Sequence, residues 1–101
     1  MDNRLRLHNV LISILGVKKV YYQPPESVKL EYPCIIYELS NIFFKYANDD
    51  KYLHNNSYTV TLIDSDPDST IVDEILKLPF ISFDRHFTSD NLNHFVFTIH
   101  N

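Results

Sequence analysis

Three carboxylates at alternate positions, Asp64, Asp66 and Asp68, are the first residues whose spacing suggests chemistry. A calcium loop of the EF-hand type begins this way, with oxygen ligands at positions 1, 3 and 5, but it also needs glycine at position 6 and a bidentate glutamate at 12. Ser69 and Ile75 stand in those places, Glu74 comes one residue early, and Pro67 falls inside. The pattern is better read as acids gathered at a helix start, where unpaired N–H groups and the helix dipole favour them.

Histidine and cysteine offer no stronger site. His8, His54, His86, His94 and His100 show neither HxH nor HExxH spacing, and Cys34 is the sole cysteine. His94 and His100 share a parity on one expected strand but stand roughly 20 Å apart, too far to ligate one ion. They read as surface or interface histidines, and no metal or cofactor is expected. Cys34 lies in an apolar run that hides a thiol and raises its pKa, and no serine has the glycine context of a nucleophile elbow. Asp84-Arg85-His86 is rich in acid and base, yet strand alternation sends Asp84 and His86 to one face and Arg85 to the other. No catalytic residue is expected. Four aromatics, Phe43, Phe44, Tyr46 and Tyr52, bracket a polar stretch. In an acidic chain they suit a protein interface better than stacked bases.

These side chains need elements to hold them. Asp2 or Asn3 can cap a helix over residues 3–15, with Leu7, Val10, Leu11 and Ile14 along one face. Leu5, Ile12 and Leu15 widen that stripe, and Gly16 ends the helix. A short strand follows over 17–23, and Pro24-Pro25 opens a loop. Residues 34–44 form a strand that is apolar at both parities at first, hence covered on both faces. Residues 45–57 read as a long polar connection or an extended hairpin tip. Strand 58–64 alternates cleanly. Asp66 as N-cap and Pro67 at the first helical position open a second helix, with Ile71, Ile75 and Leu78 inward. Strand 80–87 places Ile81, Phe83 and Phe87 on one face, Ser89-Asp90-Asn91 turns the chain, and strand 94–99 returns. The expected order is α-β-β-β-α-β-β in one domain. That is an α+β fold of two helices on a mostly antiparallel sheet of about five strands.

Composition narrows the class further. The 101 residues carry net charge −4, which argues against a general phosphate-backbone binder. One glycine excludes glycine-rich phosphate loops, and no apolar run reaches the ~18 residues of a membrane helix. The lone cysteine suits a reducing compartment, and no signal peptide is expected at the N-terminus.

The ordered segments QPPESVKLEYP with CIIYELSN, then KYANDDKYLHNNSYTVTLIDSDPDS, then LPFISFDRHFTSDNLNHFVFTIHN resemble a known family. Over about four-fifths of the chain, from Tyr22 onward, they are similar to small tail completion, tail terminator or head-to-tail joining proteins. These belong to bacteriophages that infect Gram-positive hosts. The resemblance implies an α+β subunit of a ring, usually six-fold, on the head-proximal end of the tail tube. Such a ring ends tube polymerisation and meets the head connector. It further implies a virion location after assembly in the bacterial cytoplasm, with tail tube and connector proteins as partners and no membrane. Six copies would carry about −24, so DNA would pass the lumen without specific binding. Residues Phe44, Tyr46, Tyr52 and Leu53 are the expected subunit or partner interface. Tyr52 and Leu53 would be apolar anchors on a tip that orders on docking. A small adaptor or inhibitor of one host or phage protein is the alternative, and a small metal-dependent enzyme is a third.

Overall fold

The computed structural model describes residues 3–16, 19–24, 29–46 and 52–100, and for residues 3, 41–46 and 52–56 it describes the backbone. The first helix, α1, spans Asn3–Leu15. Leu7 and Leu11, one turn apart, are its fully committed core residues, with Ile12, Ile14 and Leu15 packed at the margin. Val10 and Leu5 remain substantially exposed, so the inward stripe is narrower than the sequence suggests. Gly16 ends the helix as expected: its φ is +108° and its N–H bonds the Ile12 carbonyl at 2.7 Å. A side chain there would be strained by that φ, although nothing crowds the position.

Five strands follow: β1 (Val20–Tyr22), β2 (Cys34–Tyr46), β3 (Tyr52–Asp64), β4 (Ile81–Ser89) and β5 (Leu92–His100). Their order across the sheet is β1-β2-β3-β5-β4. Three neighbouring pairs are antiparallel, and β1 runs parallel to β2. The fold is therefore α+β with a mixed sheet. Asp90 and Asn91 both have positive φ, the geometry of a two-residue hairpin turn whose twist matches its strands. Tyr32-Pro33 is a cis peptide at the entrance to β2.

Side-chain alternation sorts the sheet into two faces. Ile35, Tyr37, Tyr58, Val60, Leu62, Phe95, Phe97 and Ile99 meet the helices. Cys34, Ile63 and Val96 are buried on the opposite face. The start of β2 is thus covered on both sides, as its double-parity apolar run indicates. Tyr37 sits in a row with Val60, Phe97 and Phe83 across four strands. Its ring contacts His8 from α1 as well as Tyr22 and Tyr58. The buried hydroxyl lies 2.5 Å from His8 Nδ1, within hydrogen-bond distance. Arg4 also hydrogen-bonds Tyr37 and lies over the Tyr22 ring, 4.6 Å from its centroid. Aromatic contacts of this kind add about 0.5–1.5 kcal/mol beyond area burial.

Two expectations fail here. The second helix, α2, is short, Ile71–Leu76, and Thr70 stands at its N-cap without a side-chain bond. Asp66 is not the cap. Instead Asp66 N–H donates to Asp64 Oδ1 at 3.0 Å, and Asp68 N–H donates to Asp66 Oδ1 at 2.9 Å. Each aspartate bonds the backbone two residues on, as Asx turns do, and so delays the helix rather than starting it. Ile75 still enters the core, and Ile71 and Leu78 pack beside it. In β4, a register shift between Phe83 and Arg85 changes the alternation. Ile81 and Phe83 lie opposite Ile99 and Phe97 on the helix side, whereas Phe87 lies opposite His94 on the other. The three do not share a face, because a bulge inserts one residue into the pattern.

Leu11→Ala should lower stability by about 2–5 kcal/mol, since a fully buried side chain would leave a cavity between α1 and the sheet. Gly16→Ala should cost about 1 kcal/mol or more through φ alone. Urea unfolding, with the slope unchanged in both, checks the pair. A loss below about 1 kcal/mol for Leu11→Ala would show that α1 does not pack as described.

Candidate functional site

The most extended feature of the chain is the β2–β3 hairpin. Each strand has thirteen residues, which at about 3.4 Å per residue makes the hairpin roughly 44 Å long. The molecule measures 52 Å along its longest axis against 25 and 23 Å across. Only the base of this hairpin belongs to the full sheet. β1 pairs with β2 as far as Tyr37, and β5 pairs with β3 from Ser57 onward. Beyond those points residues 42–46 pair with 52–56 and with no third strand among the described residues. A register shift between Leu39 and Asn41 marks the departure. Ser40 Oγ anchors it at 2.8 Å from Ser57 Oγ and 3.0 Å from the Ser57 carbonyl.

This arm carries every expected interface residue. Tyr46 lies directly opposite Tyr52 in the register, Lys45 opposite Leu53, and Phe44 opposite His54. Backbone pairing thus brings Phe44, Tyr46, Tyr52 and Leu53 to the outer end of the arm; their side chains lie outside the described residues. Residues 47–51 also lie outside them. The expected 45–57 connection is largely strand, so the hairpin-tip reading describes it and the long-loop reading does not. A ribbon standing clear of the core tolerates polar residues on both faces, so its sequence lacks the alternation that marked β3.

The titratable groups are dispersed. His8 serves Tyr37 under α1. His86 lies 4.8 Å from the Phe95 ring, with Nε2 at 2.9 Å from Asn93 Oδ1. His94 stacks on Phe87 from the other face at 4.6 Å. Asp84 and His86 do not share a face: Asp84 Oδ2 accepts from Thr98 Oγ1 at 2.6 Å, whereas His86 stands over Phe95. The bulge that displaced Phe87 causes this separation too. Among the described residues, no group of three or more His, Cys, Asp or Glu is placed to hold a metal ion. Cys34 is fully buried, and burial pushes its thiol up to about 11, opposed by Lys19. Burial also raises Tyr37 above the usual tyrosine range, against Arg4, which favours the phenolate.

A second surface escaped sequence reasoning. β4 is the sheet's last strand, and from Ser82 to Ser89 every residue is exposed. Phe80, Phe83 and Phe87 are 77, 48 and 40 % exposed. Phe80 also holds a positive φ of 59°, unusual for a bulky residue. Arg85 covers part of Phe87, 5.7 Å from the ring centroid. The alternating phenylalanines of this segment read as core. The one contrary signal is the charged Asp84-Arg85-His86 in their midst.

Cys34 should react with a thiol reagent about 100-fold more slowly at pH 8 than an ordinary cysteine, from its smaller thiolate fraction alone. Its folded pKa exceeds the unfolded one, so its contribution to stability is complete below about pH 9 and is lost as pH rises towards 11. Labelling kinetics in the absence of denaturant check the first statement, and urea midpoints at pH 8 and 10.5 check the second. Rapid labelling at pH 8 would place Cys34 outside the core.

No family model matches this chain, and no curated protein matches it. A functional reading therefore rests on its own residues and their placement.

Proposed function

We propose that this chain is a structural virion protein, a subunit of the ring at the head-proximal end of a phage tail tube. The ring ends tube growth and joins the tail to the head. The single observation that carries the reading is the two-stranded arm, which bears Phe44, Tyr46, Tyr52 and Leu53 beyond the sheet. A hairpin without a third strand is marginal in water, so such an arm is most useful when a neighbour completes it. The resemblance in motif order from Tyr22 onward supports the same role. Head-to-tail contacts between identical subunits close into a ring when their rotation closes, and a six-fold ring fits the family. Net charge −4 per subunit favours passage of DNA without specific binding. The partners are further copies of the chain, the tube protein and the head connector. The location is the virion neck, after assembly in the host cytoplasm.

Replacing Tyr52 and Leu53 together by Ser should leave the far-ultraviolet circular dichroism and melting temperature nearly unchanged, because both lie beyond the sheet body. In phage carrying the double variant, joined heads and tails counted by electron microscopy should fall at least tenfold. Normal numbers of joined particles would remove the arm from the interface and this role from the chain.

A further inference from the structure

Charge is divided across the sheet. Residues 3–25 hold four bases and no carboxylate, whereas residues 64–90 hold seven carboxylates and two bases. The second group alone is net −5, beyond the −4 of the whole chain. The topology carries the two groups to opposite edges. β1 ends the sheet on one side, in contact with α1, and β4 ends it on the other, in contact with α2. Four strand spacings, roughly 19 Å, separate those edges. Six of the seven carboxylates are exposed, Asp64 being the buried one. On the basic edge Arg6 is exposed and Arg4 lies over Tyr22, while Glu31 offsets Lys19 at 3.4 Å. Arg4 and Arg6 stand in the first turn of α1, where the helix dipole disfavours bases, so helix stability does not account for the pair. Each edge also exposes apolar surface. Leu76, Phe80 and Phe83 are 45, 77 and 48 % exposed at the acidic edge, and Leu5 is 45 % exposed on α1. Phe83, Phe97, Val60, Tyr37 and Tyr22 form one row across the five strands, so Phe83 and Tyr22 are its outermost members at one height.

We infer that the acidic α2–β4 edge of one copy docks, side chain to side chain, against the basic α1–β1 edge of a second copy. The inference rests on the ring reading and specifies its subunit contact. Charge decides the orientation. Unlike edges attract, whereas a two-fold contact would set one acidic edge against another, or base against base. Contact between two different surfaces is head-to-tail, the kind that closes into a ring when its rotation closes. Rotation about an axis along the strands leaves each row at its own height. Phe83 of one copy then comes level with Tyr22 and Arg4 of the next, an aromatic ring beside a second ring and a guanidinium. Backbone pairing is not invoked. The register shift between Phe83 and Arg85 and the charged Asp84-Arg85-His86 blunt β4 as a template for another strand. In this arrangement the β2–β3 arm extends along the axis, past the level of the contact, where the tube protein or the connector can reach it.

Sedimentation velocity of the full chain, up to about 1 mM, tests this. Association should weaken at least fivefold between about 20 mM and about 300 mM salt, because exposed charges are screened. Two double variants address the edges separately: Leu5→Glu with Arg6→Glu on the basic edge, and Asp73→Lys with Phe80→Lys on the acidic edge. All four positions are exposed, so circular dichroism and the melting temperature should stay close to the wild type. Each variant alone should associate at least tenfold more weakly than the wild type. Their equimolar mixture should recover association, because each supplies the edge that the other lacks. A basic-edge variant that associates as strongly as the wild type would establish a contact without α1 and overturn the inference. A mixture no stronger than its components, or a wild type indifferent to salt, would overturn it too, and the salt arm needs no variant to fold. Closed rings that persist in either variant refute this contact and leave the ring reading standing. A wild type monomeric at every concentration and salt refutes the contact, while the count of joined particles decides the ring.

Discussion

A tyrosine buried to zero exposure must satisfy its hydroxyl, and the body of this protein is organised around that requirement at Tyr37. The ring occupies the middle of β2, in a row that continues through Val60 and Phe97 to Phe83. Its hydroxyl points into the layer between sheet and helix, where His8 of α1 meets it. Arg4, one turn earlier, bonds the same residue and covers Tyr22. The polar contacts therefore fix the rotation and height of α1, while Leu7 and Leu11 contribute most of its apolar burial. Non-directional burial alone would allow the helix to slide, whereas a hydrogen bond made in a low-dielectric layer does not.

With α1 fixed on one face, the far side of the molecule is free to be open. α2 adds one buried side chain, Ile75, and the sheet ends in β4, which is exposed from Ser82 to Ser89. The same chain that seals Cys34, Ile35 and Tyr37 completely leaves the adjacent 38–46 stretch to extend away as a ribbon. Backbone hydrogen-bond satisfaction decides which regions are self-sufficient. Central strands pair on both sides, whereas the arm and β4 each pair on one. A fold with this asymmetry has its spare bonding capacity where another polypeptide can reach it.

Local pattern and tertiary outcome agree closely where one residue sets the backbone. Gly16 at positive φ, the Asp90-Asn91 turn and the alternating run of β3 are all chemistry of a few neighbouring residues. They disagree where a competing local bond intervenes. The aspartates at 64, 66 and 68 resemble a helix start, yet the side chains of Asp64 and Asp66 close turns on their own backbone and α2 begins later, at Ile71. The bulge near Asp84 is similar in kind. An inserted residue changes the face of everything after it, and nothing in the alternation of phenylalanines announces the insertion.

The sequence by itself determined the α+β class, the element order, the buried Cys34 and the aromatic residues carried by the hairpin. Each follows from periodicity, capping or composition, which are properties of short segments. Only the tertiary structure decided that β1 joins β2 in parallel, that β5 lies between β3 and β4, and that the β2–β3 hairpin outruns both neighbours. Those outcomes depend on which distant segments share a ladder and where each ladder stops. A strand's own residues specify its faces but not the length of its partner. The exposed edges, and with them the surface on which the proposed assembly depends, emerge only when unequal strands are laid side by side.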